Sequence, residues 1–190
     1  MIKVFIDQGH NPTNPNAGAE GNGLREQDLV YEIGVQLAEL LNSSPDFEAK
    51  LSRNSPDEVL GATTAQSLRA RTDAANDWGA DIFISLHANA SNLTGASGSE
   101  GLVYTIPSAA YTLSEDLLTE LSNATGLQNR GTTARPGLYV LRKTNMPAVL
   151  VELGFITNAG DAALMNDRPE LFARGLYEGI KRYYRIPSDT

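Results

Sequence analysis

A chain of 190 residues, 41% hydrophobic and 20% charged, has ordinary globular composition and a length that suits one domain with its own core. Its net charge of -8 argues against a nucleic-acid binder, which shows a basic face, and the absence of cysteine removes disulfides and thiolate nucleophiles, so any metal must use His, Asp or Glu. No apolar run approaches the ~20 residues of a membrane span. Lys3 follows the start without a signal-peptide core, so the expectation is a soluble chain, any export using a removed signal or another route.

The first apolar run, Val4-Phe5-Ile6, predicts a strand over about 2–7 that ends in Asp7, Gln8, Gly9 and His10 before an Asn/Gly/Pro-rich loop at 11–23. Residues 25–42 carry Leu29, Ile33, Leu37, Leu40 and Leu41 at helical spacing. A strand over 47–52 follows, then a helix with Thr63 and Gln66 as a capping box, running through Trp78 to a stop at Gly79. The run "DIFISLH" predicts a strand over 81–87, the Ser/Gly-rich 91–101 a surface loop, and 102–106 another strand. "SAAYTLSEDLLTELSNATG" reads as a helix stopped by Gly126, and strands are expected over 138–142 and 147–152. A last helix opens with Pro169. Continuous apolar strands such as "AVLVELGF" are covered on both faces. The alternation of strands and helices therefore predicts a single α/β domain over 1–190, with a twisted, mostly parallel sheet of about six strands and helices on both faces.

The chain has two histidines, His10 and His87, and each closes an apolar strand. In an open α/β sheet that edge is where ligands bind, although taken singly each histidine also suits a hydrogen-bonding role in a loop. Glu26 lies three, four and seven residues before Leu29, Val30 and Ile33, on the inward stripe of its helix, where a carboxylate is costly unless satisfied. The bland alternative is a first-turn glutamate favoured by the helix dipole. Two histidines and one carboxylate make the ligand set of an open catalytic zinc site. Glu152 ends another apolar strand at the same edge and suits a general base, its alternative being a capping or salt-bridged glutamate. Asn89 and Arg71 are candidate substrate contacts: Asn89 also suits bracing the loop, and Arg71, sharing a face with Leu68 and Ala75, also suits pairing with Asp7 or Asp73. Arg130 and Arg135 are placed by default in a solvated loop before "GLYVL", the alternative being contact with carboxylates of a substrate.

The stretches "FIDQGHNP", "GLREQDL", "SLHANAS" and "PAVLVELGFITN", in this order, resemble the zinc-dependent N-acetylmuramoyl-L-alanine amidases of autolysins, sporulation hydrolases and phage endolysins. "LSRN", "RARTDAAN" and "GSEGLVY" extend the likeness over nearly the whole chain. The resemblance implies one zinc on His10, Glu26 and His87, and Glu152 as catalytic glutamate. It also implies hydrolysis of the amide between N-acetylmuramic acid and L-alanine of the peptidoglycan stem, in the cell wall or another extracytoplasmic setting, with a protein activator or targeting partner. Gln8 and Asn11 depart from the family's Gly-His-Gly with its small preceding residue, which bears on loop shape and subsites. The short "SNLTGASGSEG" loop leaves little room for an occluding helix. A silent peptidoglycan-binding module and a zinc peptidase cutting within the stem are the competing classes; H-E-x-x-H is missing from the sequence.

Overall fold

The computed structural model describes residues 1–187. In chain order the elements are β1 (Ile2–Gln8), β2 (Glu20–Gly21), β3 (Leu24–Arg25), α1 (Glu26–Asn42), β4 (Phe47–Leu51), α2 (Thr64–Trp78) and β5 (Ile82–Asn89). They continue with β6 (Ser99–Val103), α3 (Ala109–Thr125), β7 (Asn129–Ala134), α4 (Tyr139–Arg142), β8 (Ala148–Phe155), α5 (Ala159–Asp167) and α6 (Pro169–Tyr184). Six strands form one sheet in the order β4-β1-β5-β8-β6-β7, parallel except where β6 meets β8, while β2 and β3 form a small antiparallel ribbon.

Side-chain alternation divides the central strands between two cores. Val4, Ile6, Ile84, Leu86, Val149 and Val151 face a large core shared with α1, α3 and α6. Phe5, Phe83, Ala148 and Leu150 face a smaller one under α2 and α4. Both faces are covered, which is why these strands read as unbroken apolar runs. The helix boundaries follow from local chemistry. Thr63 Oγ1 accepts from the Gln66 N–H at 3.2 Å and Gln66 Oε1 accepts from the Ala62 N–H at 2.8 Å, closing the start of α2. Gly79 ends it at φ +68°, a left-handed conformation glycine adopts without strain.

Two expectations are corrected. The strand expected over 138–142 is the short helix α4, whose Val140 and Leu141 pack beneath the sheet in the smaller core. A four- or five-residue apolar run carries no period that separates helix from strand. The sixth strand is instead β7, "NRGTTA", an edge strand whose polar composition hides it from an apolar pattern, and it carries Arg130, which was expected in a loop. The short helix α5 has no counterpart among the predicted elements, although Asn158 caps it through Oδ1 to the N–H groups of Gly160 and Asp161.

The topology locates the binding edge. The chain leaves β1 for β4 on one side and then returns to β5 on the other, so the strand order reverses between β1 and β5. Such a reversal opens a crevice beyond the carboxyl ends of the two strands. His10 follows β1 and His87 lies near the end of β5.

Candidate metal centre

His87 and Glu152 continue the alternation of Phe83 and Leu150, so both side chains project on the face of α2 and α4. They are direct neighbours in the parallel β5–β8 register, in which adjacent strands lie roughly 4.8 Å apart. α4 has only four residues, so this face is thinly covered at its carboxyl edge. A cavity of about 160 Å³ opens there beside His10 and His87, roofed by Leu138, Tyr139 and Val140. A larger hollow of about 530 Å³ between α1 and α6 holds Glu32, Glu39 and Glu170 but no histidine, whereas His10 and His87 both line the smaller cavity.

Glu26 enters from the first turn of α1. Its place on the stripe with Leu29, Val30 and Ile33 leaves it only 4% exposed. Oε1 accepts from the Ala88 N–H at 3.0 Å and lies 3.1 Å from His10 Nε2 and 3.0 Å from His87 Nδ1. Oε2 accepts from the Ala19 N–H at 2.9 Å. Burial pushes the Glu26 carboxyl up, but its bonds with His10 and His87 outweigh burial and hold it well below the usual carboxylate range. In His87 burial opposes the charge, whereas the bond to Glu26 and the field of Glu152 favour it, and the net direction is upward.

His10 takes φ +68°, which is uncommon for a residue with a Cβ and costs roughly 1–3 kcal/mol unless its surroundings enforce it. The turn passes against His87: a Cβ on Gly9 would lie 2.6 Å from His87 Cε1 and Nε2 and from the Leu86 carbonyl oxygen. Only glycine lets the chain approach so closely.

Asn11 and Gln8 brace the two sides of this turn. Asn11 Nδ2 donates to the carbonyls of Pro15 and Leu60, while its Oδ1 accepts from the Leu60 N–H. Gln8 is fully buried against Gly34, where a Cβ would come within 2.7 Å of Gln8 Cγ.

Glu152 is partly buried, with Oε2 enclosed and without a hydrogen-bond partner. Burial raises its pKa to about 7, with Glu26 and Glu100 adding to the rise against the opposing pull of His87. Glu100 was not expected at the site. It lies opposite Glu152 in the antiparallel β6–β8 register, and its alternation with Leu102, which packs in the smaller core, was the available signal.

The remaining candidates separate. Asn89 stands at the partly exposed end of β5, where its Oδ1 accepts from the Ala90 N–H at 2.9 Å and its carbonyl from the Ile156 N–H at 2.7 Å. Arg71 lies beneath the His10 loop, 1% exposed, and pairs with Asp7 at 2.7 Å. Burial pushes the Asp7 carboxyl up, but the Arg71 guanidinium beside it prevails and holds it below its ordinary value. Arg130 lies over the Phe155 ring, 5.1 Å from its centroid, and Arg135 Nη1 donates to the Ala134 carbonyl.

One donor atom from each of His10, Glu26 and His87 falls within 4.8 Å of the others, and no second such group stands among the described residues. Two imidazoles and a carboxylate suit zinc. His10 Nδ1 and Glu152 Oε2 are among the buried side-chain atoms without a protein hydrogen-bond partner, which leaves both able to take an ion, water or ligand.

A family model described as N-acetylmuramoyl-L-alanine amidase matches residues 4–182. The N-acetylmuramoyl-L-alanine amidase CwlM of Bacillus licheniformis is 36% identical over 194 aligned residues, covering 100% of this chain and 72% of that protein. The catalytic domain of CwlV, an N-acetylmuramoyl-L-alanine amidase from Bacillus (Paenibacillus) polymyxa var. colistinus, matches with a TM-score of 0.86 at 29% identity, covering 98% of this chain and 100% of that one. The CwlD amidase from Clostridioides difficile, solved in complex with the GerS lipoprotein, matches with a TM-score of 0.89 at 26% identity, again over 98% and 100% of the two chains.

Proposed function

Since this chain belongs to the N-acetylmuramoyl-L-alanine amidase family, we propose that it hydrolyses the amide between N-acetylmuramic acid and the L-alanine of the peptidoglycan stem, as a zinc enzyme. The observation that carries the reading is the convergence of His10, Glu26 and His87 within 4.8 Å, with Glu152 beside His87 on the next strand.

His10, Glu26 and His87 are the residues that would hold the metal. Bound there, zinc supplies Lewis acidity for the scissile carbonyl and brings the pKa of a water toward ~7. Glu26 is kept ionised by its bonds to the histidines and is fixed by the Ala19 and Ala88 N–H groups, so it offers a charged ligand without rearrangement. Glu152, with a pKa of about 7 and an unpartnered Oε2, is matched to proton transfer near neutral pH. It takes the proton of the attacking water and returns it to the departing alanine nitrogen. Asn89, at the open end of β5, is assigned to substrate contact. Among the described residues no helix is long and apolar enough to cross a membrane, and the cell wall is the proposed place of action. The complex of CwlD with a lipoprotein motivates a protein partner here, for activation or targeting.

Mass spectrometry of a muropeptide digest tests this reading. The expected products carry a free lactyl carboxylate and a new L-alanine amine, and a chelator abolishes them. A cut between amino acids would identify a stem peptidase instead, and an unaltered digest would identify a binding module.

A further inference from the structure

Arg71 is a large, buried cation lodged directly under a proposed metal ligand. Its Nη1 donates to Asp7 Oδ1 at 2.7 Å and to the Gln8 carbonyl at 2.6 Å. Its Nη2 donates to the His10 carbonyl at 2.5 Å and to Asn11 Oδ1 at 3.2 Å. Asp7 in turn accepts from Ser85 Oγ at 2.7 Å, tying β1 to β5 two residues before His87. One planar group thus holds the carbonyls on either side of Gly9, the residue that must pass His87 without a Cβ. The same group anchors the carbonyl of the residue held at φ +68°. A left-handed residue with a Cβ persists only where its surroundings over-determine it, and a rigid guanidinium fork holding two carbonyls at once does so.

We propose that Arg71 is a positioning residue for His10, its guanidinium fixing the left-handed turn that presents the imidazole to Glu26 and His87. This rests on His10 being a zinc ligand. Charge and geometry make opposite predictions for its removal. By charge alone, deleting a buried cation near a divalent-ion site tightens metal binding. By geometry, the turn relaxes, the imidazole loses its place, and binding weakens. Loss of a group that orients a ligand typically costs about 10–100-fold in metal affinity.

The test measures zinc dissociation constants of the full chain by competition with a chromophoric chelator, with folding followed by circular dichroism. Arg71→Met is expected to bind zinc about 10–100-fold more weakly than wild type. Arg71→Lys, which keeps the ion pair with Asp7 but cannot reach both carbonyls, should fall between them. Leu117→Ala, in the core between α3 and α6, lowers thermal stability but keeps wild-type zinc affinity, which separates positioning from general destabilisation. Folded Arg71→Met with wild-type or tighter zinc binding overturns the proposal, and where Arg71→Met does not fold, Arg71→Lys with wild-type affinity does the same. His10→Ala in parallel keeps the two failures distinct. Undiminished binding in His10→Ala removes the ligand set itself, whereas weakened binding there with retention in both Arg71 variants removes only the positioning role.

Discussion

Replacing Glu152 by Gln should stabilise the metal-free protein above neutral pH while slowing turnover of the zinc-loaded protein. Burial raises the folded-state pKa from the ordinary 4.5 to about 7. Between those values the folded chain binds more protons than the unfolded chain. The stability this carboxyl contributes is therefore fully present below 4.5 and lost as pH rises through about 7. The full shift corresponds to ~3 kcal/mol, and because Glu152 remains partly open to solvent the realised effect is smaller. Gln does not ionise, so Glu152→Gln escapes this loss. In chelator-treated protein its melting temperature should match wild type closely at pH 4.5 and exceed it at pH 8.5, by up to roughly 5–10 °C for a chain of this size. Titrations of groups remote from Glu152 are common to both proteins and cancel in the difference, whereas His87, whose charged form Glu152 favours, is altered in the variant and is followed separately by NMR. Hydrolysis should meanwhile fall ~10²–10⁴-fold, the usual cost of removing a general base. An equal melting difference at the two pH values would refute the assignment of a raised, buried carboxyl.

Glu26→Ala and His87→Ala should each lose zinc affinity and activity together yet remain folded, because the apolar core does not depend on the metal. Metal analysis alongside circular dichroism checks this, and full metal occupancy in either variant counts against the ligand set. Gly9→Ala should weaken zinc binding and cost ~1–3 kcal/mol of stability, since its Cβ would meet His87 and the Leu86 carbonyl at 2.6 Å. Chemical denaturation and a zinc titration read the two effects separately.

The residues of the candidate site were legible because their chemistry interrupts strong patterns. His10 and His87 break apolar strands, and Glu26 sets a charge on a buried helical stripe, where it indeed lies 4% exposed. What could not be read depends on tertiary placement. The left-handed turn at His10, the glycine pressed against His87 and the Glu100–Glu152 pairing arise only when β1, β5, β6 and β8 come together. Arg71 was correctly placed on an inward face, but its commitment to the carbonyls of Gln8 and His10 leaves no trace in helical spacing. The fold shows the same division. The buried central strands announce themselves by composition, whereas β7 is polar because it is an edge, and the run at 138–142 is too short for periodicity to choose between helix and strand.

Stoichiometric reconstitution tests the central claim most directly: zinc is titrated into metal-free protein while release of L-alanine amines from peptidoglycan is followed. Release should rise linearly and break at about one zinc per chain, the capacity of a single open site. Full release from the metal-free protein, or zinc addition that restores none, would contradict the account.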